Sequence, residues 1–309
     1  MTIDGKDIKK EYGCTLLKGS FDSLLKYPKR KPVPYRDWAE LDGIVPDLSE
    51  VNFEPRSISL TFLQEAKGLA EFTDLYNKLY SQMSVNGYRT IDAIPGMTTK
   101  VRLNSTSGYK IPKPFNAGKN LTKFTLHFIE DSPVVGKANS FRGNNAPSGL
   151  YQINGNDFGL YGIGADEKQD NIIQYPSIKE PFSDGKNVHL EELKTAHKEI
   201  QMPLWMLADS IPEFLNNYRA FFTQLTKPGE QYLYLDQLGI TTGVYYSDCT
   251  NFKVESWGNG KVAVRFTISL VIPVVTWVDM GGIRRYRILR DTGTNSVLAD
   301  EQKRIIIIK

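Results

Sequence analysis

The chain of 309 residues has two cysteines and three histidines. Cys14 and Cys249 stand far apart, which excludes a disulfide framework and a Cys-based metal motif and predicts two free, buried thiols. Charge of one sign is also scarce. Lys and Arg number 38 against 35 Asp and Glu, a net charge of +3, too little to imply a nucleic-acid-binding face by itself. Long apolar runs are missing too: the longest, ISLVIPVVTWV from Ile268, is too short to span a bilayer, is broken by Pro273, and reads as a buried strand. The start, MTIDGKDIKKEYG, has no apolar core after its lysines, so no secretion signal is read and a cytoplasmic site of synthesis is expected. The sequons Asn104-Ser-Thr and Asn120-Leu-Thr then carry no glycosylation.

What the chain does have is a repeated phrase. EFTDLYNKLYSQMSVNG from Glu71 is echoed by EFLNNYRAFFTQLTKPG from Glu213, and an offset of 142 residues aligns Phe72 with Phe214, Tyr76 with Tyr218, Gln82 with Gln224 and Gly87 with Gly229. At the same offset, the alternation Ile58, Leu60, Phe62 meets Ile200, Met202, Leu204, both of period two and strand-like. GMTTKVRL at Gly96 answers GITTGVYY at Gly239, and FTLHF at Phe124 answers FTISL at Phe266. At the front, IDGKD at Ile3 parallels INGND at Ile153, and LKYPK at Leu25 parallels IQYPS at Ile173.

Each copy of the phrase predicts a helix of about four turns. In the second, Ile211, Phe214, Leu215, Tyr218, Phe221, Phe222 and Leu225 fall at three- and four-residue steps and form one apolar stripe. Ser210 and Glu213 fit a capping box, with Pro212 in the tolerant first turn. In the first, Gly68 takes the N-cap, Leu69, Phe72, Tyr76, Leu79 and Met83 form the stripe, and Asn86-Gly87 supplies a left-handed stop. The closing strand KVAVRFTISLVI alternates Val262, Val264, Phe266, Ile268, Leu270 and Ile272, which predicts one core face.

The expected fold is therefore α+β, mainly β: two tandem similar modules, each an antiparallel β-sandwich or barrel-like sheet packed with one α-helix. The first module is placed at residues 1–135. A Gly/Asn/Ser/Pro-rich linker follows at 136–150, then the second module at 151–276 and a C-terminal extension with a terminal strand at 277–309. The β-branched run Ile305, Ile306, Ile307, Ile308 is expected to join a sheet, in its own chain or in a neighbour's.

The segment NFEPRSISLTFL, followed by the helix and by a Gly-led strand hairpin, resembles the N-terminal domain of phage distal tail proteins, from about Ile3 to Asp131. The repeat extends the likeness over Ile153 to Val275. Where that family carries a PGRDG-type loop, this chain has only the partial match Tyr35-Arg-Asp-Trp-Ala-Glu-Leu-Asp-Gly43. The resemblance implies a structural protein of the tail tip or baseplate, related to tail-tube domains that form six-membered rings around a channel for DNA. It implies a homo-oligomeric ring, a trimer with pseudo-sixfold symmetry or a hexamer, in contact with adjacent tail proteins. DNA would pass through without specific binding, no membrane would be involved, and the chain would reside in the virion. Tyr35, Arg36, Trp38, Arg285, Arg287 and Ile305 to Ile308 are the candidate assembly-interface residues.

No catalytic, cofactor-binding or metal-ligating residue is assigned, and no enzymatic activity is expected. His127 sits on the polar side of an alternating strand, and His189 and His197 bracket LEELKTA without the His-Glu-x-x-His spacing of a zinc site. GLYGIG from Gly159 has the wrong glycine order for a dinucleotide fingerprint and reads as a turn. The carboxylates of ADEKQD and LEEL are interspersed with lysines, as on a solvated face. KYPKRKPVPYRDW from Lys26 reads as an extended arm, with single-stranded nucleic acid as the other reading. RRYRILR from Arg284 reads as an edge strand, or as a phosphate contact. The rival function is a carbohydrate- or receptor-binding β-sandwich module using Trp38, Trp205, Trp257 or Trp277 as stacking platforms.

Overall fold

The computed structural model describes residues 1–39, 41–94, 96–108, 120–133, 145–165, 174, 176–179, 194–235, 239–258, 261–275, 287–288 and 307–308. The fold is mainly β, with curled antiparallel sheets and few helices.

The first half opens with β1 (Thr2–Ile3) and β2 (Lys6–Asp7), joined through Asp4 and Gly5, both at positive φ (50° and 78°), as a tight hairpin turn demands. Helix α1 (Ile8–Tyr12) starts where the Asp7 carboxylate accepts the Lys9 and Lys10 N–H groups and stops at the left-handed Gly13. There follow β3 (Cys14–Leu16), α2 (Ser20–Leu25), β4 (Tyr35–Arg36), β5 (Val45–Pro46), β6 (Arg56–Ala66), α3 (Leu69–Met83), β7 (Arg89–Ile94), β8 (Met97–Ser107) and β9 (Asn120–Glu130). One sheet runs β2-β1-β7-β8-β9-β6-β3. Along β6 every second residue is buried, and Ile58, Leu60 and Phe62 stand opposite Phe128, Leu126 and Phe124 of β9. Leu79 and Met83 of α3 close over that face with Tyr76 packed beside them. His127, on the other face, bonds Ser59 Oγ at 3.0 Å and Ser107 Oγ at 2.6 Å, so its polar placement in the sequence reading holds.

The second half comprises β10 (Tyr151–Ile153), β11 (Asn156–Asp157), a 3-10 turn (Phe158–Tyr161), β12 (Ile163–Ala165), β13 (Lys198–Ala208), α4 (Ile211–Leu225), β14 (Gln231–Leu235), β15 (Ile240–Gly258) and β16 (Lys261–Ile272). Its sheet runs β11-β10-β14-β15-β16-β13-β12, so each strand of one sheet has a partner at the same place in the other. β6 and β13, and likewise α3 and α4, begin and end 142 residues apart.

The correspondence extends to single contacts. Glu71 accepts from the Lys67 N–H at 2.6 Å, and Glu213 from the Asp209 N–H at 3.0 Å; each glutamate reaches one residue beyond the N-cap assumed in the capping-box reading. Ser210 Oγ accepts from the Glu213 N–H at 3.2 Å, whereas Gly68 has no side chain to do so. Phe72 stacks on Tyr76, whose ring meets Phe124 edge-on at 5.5 Å; Phe214 stacks on Tyr218, whose ring meets Phe266 edge-on at 6.2 Å. Asp4 exchanges backbone and side-chain bonds with Thr90 and takes bonds from Arg89 and Gln82. Asn154 does the same with Tyr232, bonding also to Gln231 and to the Gln224 carbonyl.

Three expectations need correction. Leu69 belongs to the spacing of the α3 stripe but is 49% exposed, because it sits in the first turn before the helix reaches the sheet. The first half contains two short helices, α1 and α2, besides α3. β16 has two buried faces from Phe266 to Ile272, not one: Val271 packs with Tyr245, Leu48 and Val33 on the side away from α4.

The chain divides into two compact units. One compact unit contains Met1–Lys29, Phe53–Gly136 and Asn251–Arg265; the other contains Arg30–Asn52, Lys137–Thr250 and Phe266–Lys309. Within unit 1 the tip of the β15–β16 hairpin is held by Phe21 stacked on Trp257 at 4.9 Å and by the Val254 N–H donating to Asp22 at 2.8 Å. Both cysteines are free and buried.

Candidate functional site

Residues 30–52, part of unit 2, form the arm that carries the predicted interface side chains. Its base is anchored. Arg30 is buried: its N–H donates to Ser247 O at 2.9 Å, its Nη2 to Glu50 O at 2.8 Å, and its guanidinium lies 5.5 Å over the Tyr245 ring. The basic look of KYPKRK therefore overstates its free charge, since Arg30 is spent inside the chain and Lys29 pairs with Glu54 at 3.4 Å. Val33 and Leu48 pack on Tyr245.

Beyond the base, β4 and β5 pair Tyr35 with Pro46 and Arg36 with Val45. The tip is tied by a single cation: Lys179 Nζ shares its three N–H groups among four acceptors, the Asp37 carboxylate at 2.5 Å and the carbonyls of Trp38, Leu41 and Gly43 at 3.0, 2.8 and 2.5 Å. Asp42 accepts from the Thr195 N–H and hydroxyl at 2.7 and 3.0 Å. Gly43 is at φ +67°, and a Cβ there would lie 1.9 Å from Pro273 O, so only glycine fits the approach.

This ordered frame holds apolar side chains out to solvent. Tyr35 is 54% exposed, Trp38 46%, Leu41 45% and Val45 51%. Arg36 stands 6.0 Å over the Trp38 ring, and Tyr35 6.1 Å from the His197 ring. Exposed apolar side chains on a frame already fixed by hydrogen bonds suit association, because little further ordering entropy is lost on binding.

The structure thus brings Arg36 and Trp38 together, while Tyr35 lies beside His197. Arg287 and Ile288 form β17 and pair antiparallel with Ile308 and Ile307 of β18, so the end of the isoleucine run lies in a sheet of its own chain. Arg285, Ile305 and Ile306 lie outside the described residues, as do His189 and Trp277. Of the glycines of GLYGIG, Gly159 lies in the 3-10 turn, Gly162 is its left-handed cap and Gly164 falls in β12. Among the described residues no group of His, Cys, Asp and Glu is arranged to hold a metal ion, and no helix is long and apolar enough to cross a membrane. Sequence reading missed Lys179 and Asp42, whose roles depend on partners over 130 residues away, and it missed a second exposed group in unit 1. There Tyr80, Val85 and Tyr88 are 44%, 54% and 56% exposed. Tyr88 OH and the Arg102 guanidinium both donate to the Asp131 carboxylate, and Arg102 Nε does so at 2.7 Å. The Asp131 pKa is held low chiefly by Arg102 against a smaller effect of burial.

No family model matches the chain, and no curated protein matches it. Among solved structures, the chain is similar to the Dit protein (gp 19.1) of SPP1, described as a paradigm of the hub adsorption apparatus in phages infecting Gram-positive bacteria. The identity is 12%, the likeness covers 87% of this chain and 96% of that one, and the TM-score is 0.30.

Proposed function

We propose that the chain is a non-enzymatic structural protein of a phage tail tip, baseplate or tail tube, built of two tandem similar modules, and that it assembles into a ring around the channel for DNA. The observation that carries this reading is the match between the halves. Strand order agrees throughout, and the Asp4 and Asn154 networks use counterpart residues with an ionic pair in one and an amide pair in the other. Two side chains that change together while their geometry stays the same support duplication of one ancestral module.

Duplication alone makes a doublet; the arm supplies a reason for a ring. A connection of the first half, residues 30–52, is built into the unit that holds most of the second half. An arm of this kind given by each chain to the next would make a heterologous contact, which closes into a ring when its rotation divides a full turn. Three chains would give six modules; six chains would place one module of each at the channel. The exposed group of Tyr35, Trp38, Leu41 and Val45 would contribute to an interface of at least about 1,000 Å². The phage assignment itself rests on the NFEPRSISLTFL segment and the element order that follows it.

Light scattering and negative-stain imaging of the purified chain test the reading. A ring of three or six times the 35.0 kDa chain, with a central hole, is the expected result. A closed two-fold dimer or an open filament would overturn it. The carbohydrate reading retains one observation, the open face of Trp38 beside Arg36; binding of surface glycans that Trp38→Ala abolishes would favour it instead.

A further inference from the structure

Helix α1 ends at Tyr12, whose carbonyl, like the last carbonyls of any helix, has no partner within the helix itself. Two buried side chains of unit 1 take it instead: the Gln64 amide donates to it at 2.9 Å and the Cys14 thiol at 3.3 Å. With the N–H side of the Gln64 amide fixed there, its oxygen is left to find another partner. Thr122 of β9 stands opposite Gln64 of β6, and Cys14 of β3 stands opposite it on the other side. The three side chains form a polar layer across β3, β6 and β9, each no more than 2% exposed.

Gln64 Oε1 and Thr122 Oγ1 have no hydrogen-bond partner among the described residues, each other included. An acceptor and a donor buried on neighbouring strands lose their hydration without replacement, a penalty that protein interiors meet with an ordered water where there is room. The second half of the chain indicates the room. The offset of 142 takes Gln64 to Met206 and Thr122 to Val264, and the strand pairing takes Cys14 to Ile163, because Cys14 is opposite Gln64 as Ile163 is opposite Met206. All three counterparts are buried and apolar. Gln and Met are close in shape, as are Thr and Val, but Cys is much smaller than Ile. The polar layer therefore stands where an apolar layer of greater volume stands in the other half.

We infer that unit 1 binds one water molecule inside its core, between β3, β6 and β9, where the water donates to Gln64 Oε1 and accepts from the Thr122 hydroxyl. The Cys14 sulfur, a weak acceptor held on the same carbonyl as the Gln64 amide, is available to the second hydrogen. At the matching level of the second half, Ile163, Met206 and Val264 offer a water no donor, and that layer is dry. The site is independent of the ring reading above: it belongs to the interior of a single chain and stands whether or not the chain assembles.

A crystal structure of the full chain at a resolution that shows ordered solvent tests this, together with magnetic relaxation dispersion of the solvent, which counts long-lived internal waters. One water at about 2.7–3.2 Å from both Gln64 Oε1 and Thr122 Oγ1 is expected. The two side chains bonded directly to each other, or a layer closed without solvent density, would overturn the site. Cys14→Ile combined with Gln64→Met and Thr122→Val writes the residues of the second half into the first. That triple variant is expected to lose one long-lived water and to melt at or above the wild-type temperature, because donor, acceptor and water leave together. Thr122→Val alone is expected to melt below the triple variant, since the Gln64 amide then stays buried with a poorer partner. An unchanged count of internal waters in the triple variant would overturn the inference. Should that variant fail to fold, the solvent density of the wild type decides alone.

Discussion

The Arg89 guanidinium donates to the Asp4 carboxylate at 3.2 Å in the place where the Asn154 amide donates to Gln231 Oε1 at 2.8 Å. Burial pushes the Asp4 pKa up, but the Thr90 N–H, the Gln82 amide and Arg89 together outweigh it and leave the carboxyl below its ordinary value. A carboxylate whose pKa falls on folding contributes stability above its unfolded pKa of about 4 and loses it as the pH drops through the folded value. Asp4→Asn should therefore cost stability at neutral pH, and the gap to wild type should close between about pH 5 and about pH 2 in melting experiments. The pair Asp4→Asn with Arg89→Gln should recover part of the loss, because it copies the amide pair of the other half.

Phe72 and Phe214 occupy matching, fully buried positions under their sheets. Truncation to Ala at either site should destabilise by about 3–5 kcal/mol in urea denaturation, through lost burial and the cavity left behind. Leu69→Ala, at an exposed stripe position, should stay within about 0.5 kcal/mol.

Gly13 and Gly162 are both left-handed, and a Cβ at each would lie 2.7 and 2.3 Å from the carbonyl oxygens of Glu65 and Leu207. Alanine at either position should cost more than about 1 kcal/mol, with the Gly162 change the larger. Gly96, also at positive φ but facing open space, should tolerate alanine better. Thermal melts of the three variants rank them directly.

Lys179→Met should release the arm tip. The carbonyls of Trp38, Leu41 and Gly43 would lose their shared donor and Asp37 its partner. Faster amide exchange and proteolysis confined to the tip are expected, with the rest of the chain unchanged. If the arm is an assembly element, association should weaken in parallel. Unaltered exchange at the tip would show that Asp42 and Thr195 suffice to hold it.

The Cys14 thiol, which burial raises to about 12, should resist alkylation until unfolding. Its rate of labelling against denaturant then reports opening of unit 1, and rapid labelling of the native chain would contradict the buried placement.

Apolar spacing by itself determined β6, α3, β13 and α4, because a stripe or an alternation must face a core whatever surrounds it. The N-cap Ser210 was legible for the same local reason, as were Tyr35 and Trp38 as exposed aromatics on a proline-rich arm, whereas α3 stops at Ser84, three residues before the left-handed Gly87 that its sequence offers as the stop. The tertiary structure alone decided where that arm goes. Nothing local distinguishes Lys179 from any surface lysine, or Arg30 from a free cation, until the carbonyls and the ring they meet are in place. The second buried face of β16 was equally unreadable. Burial there depends on which distant stretch of chain lies over a strand, and no local pattern reports that.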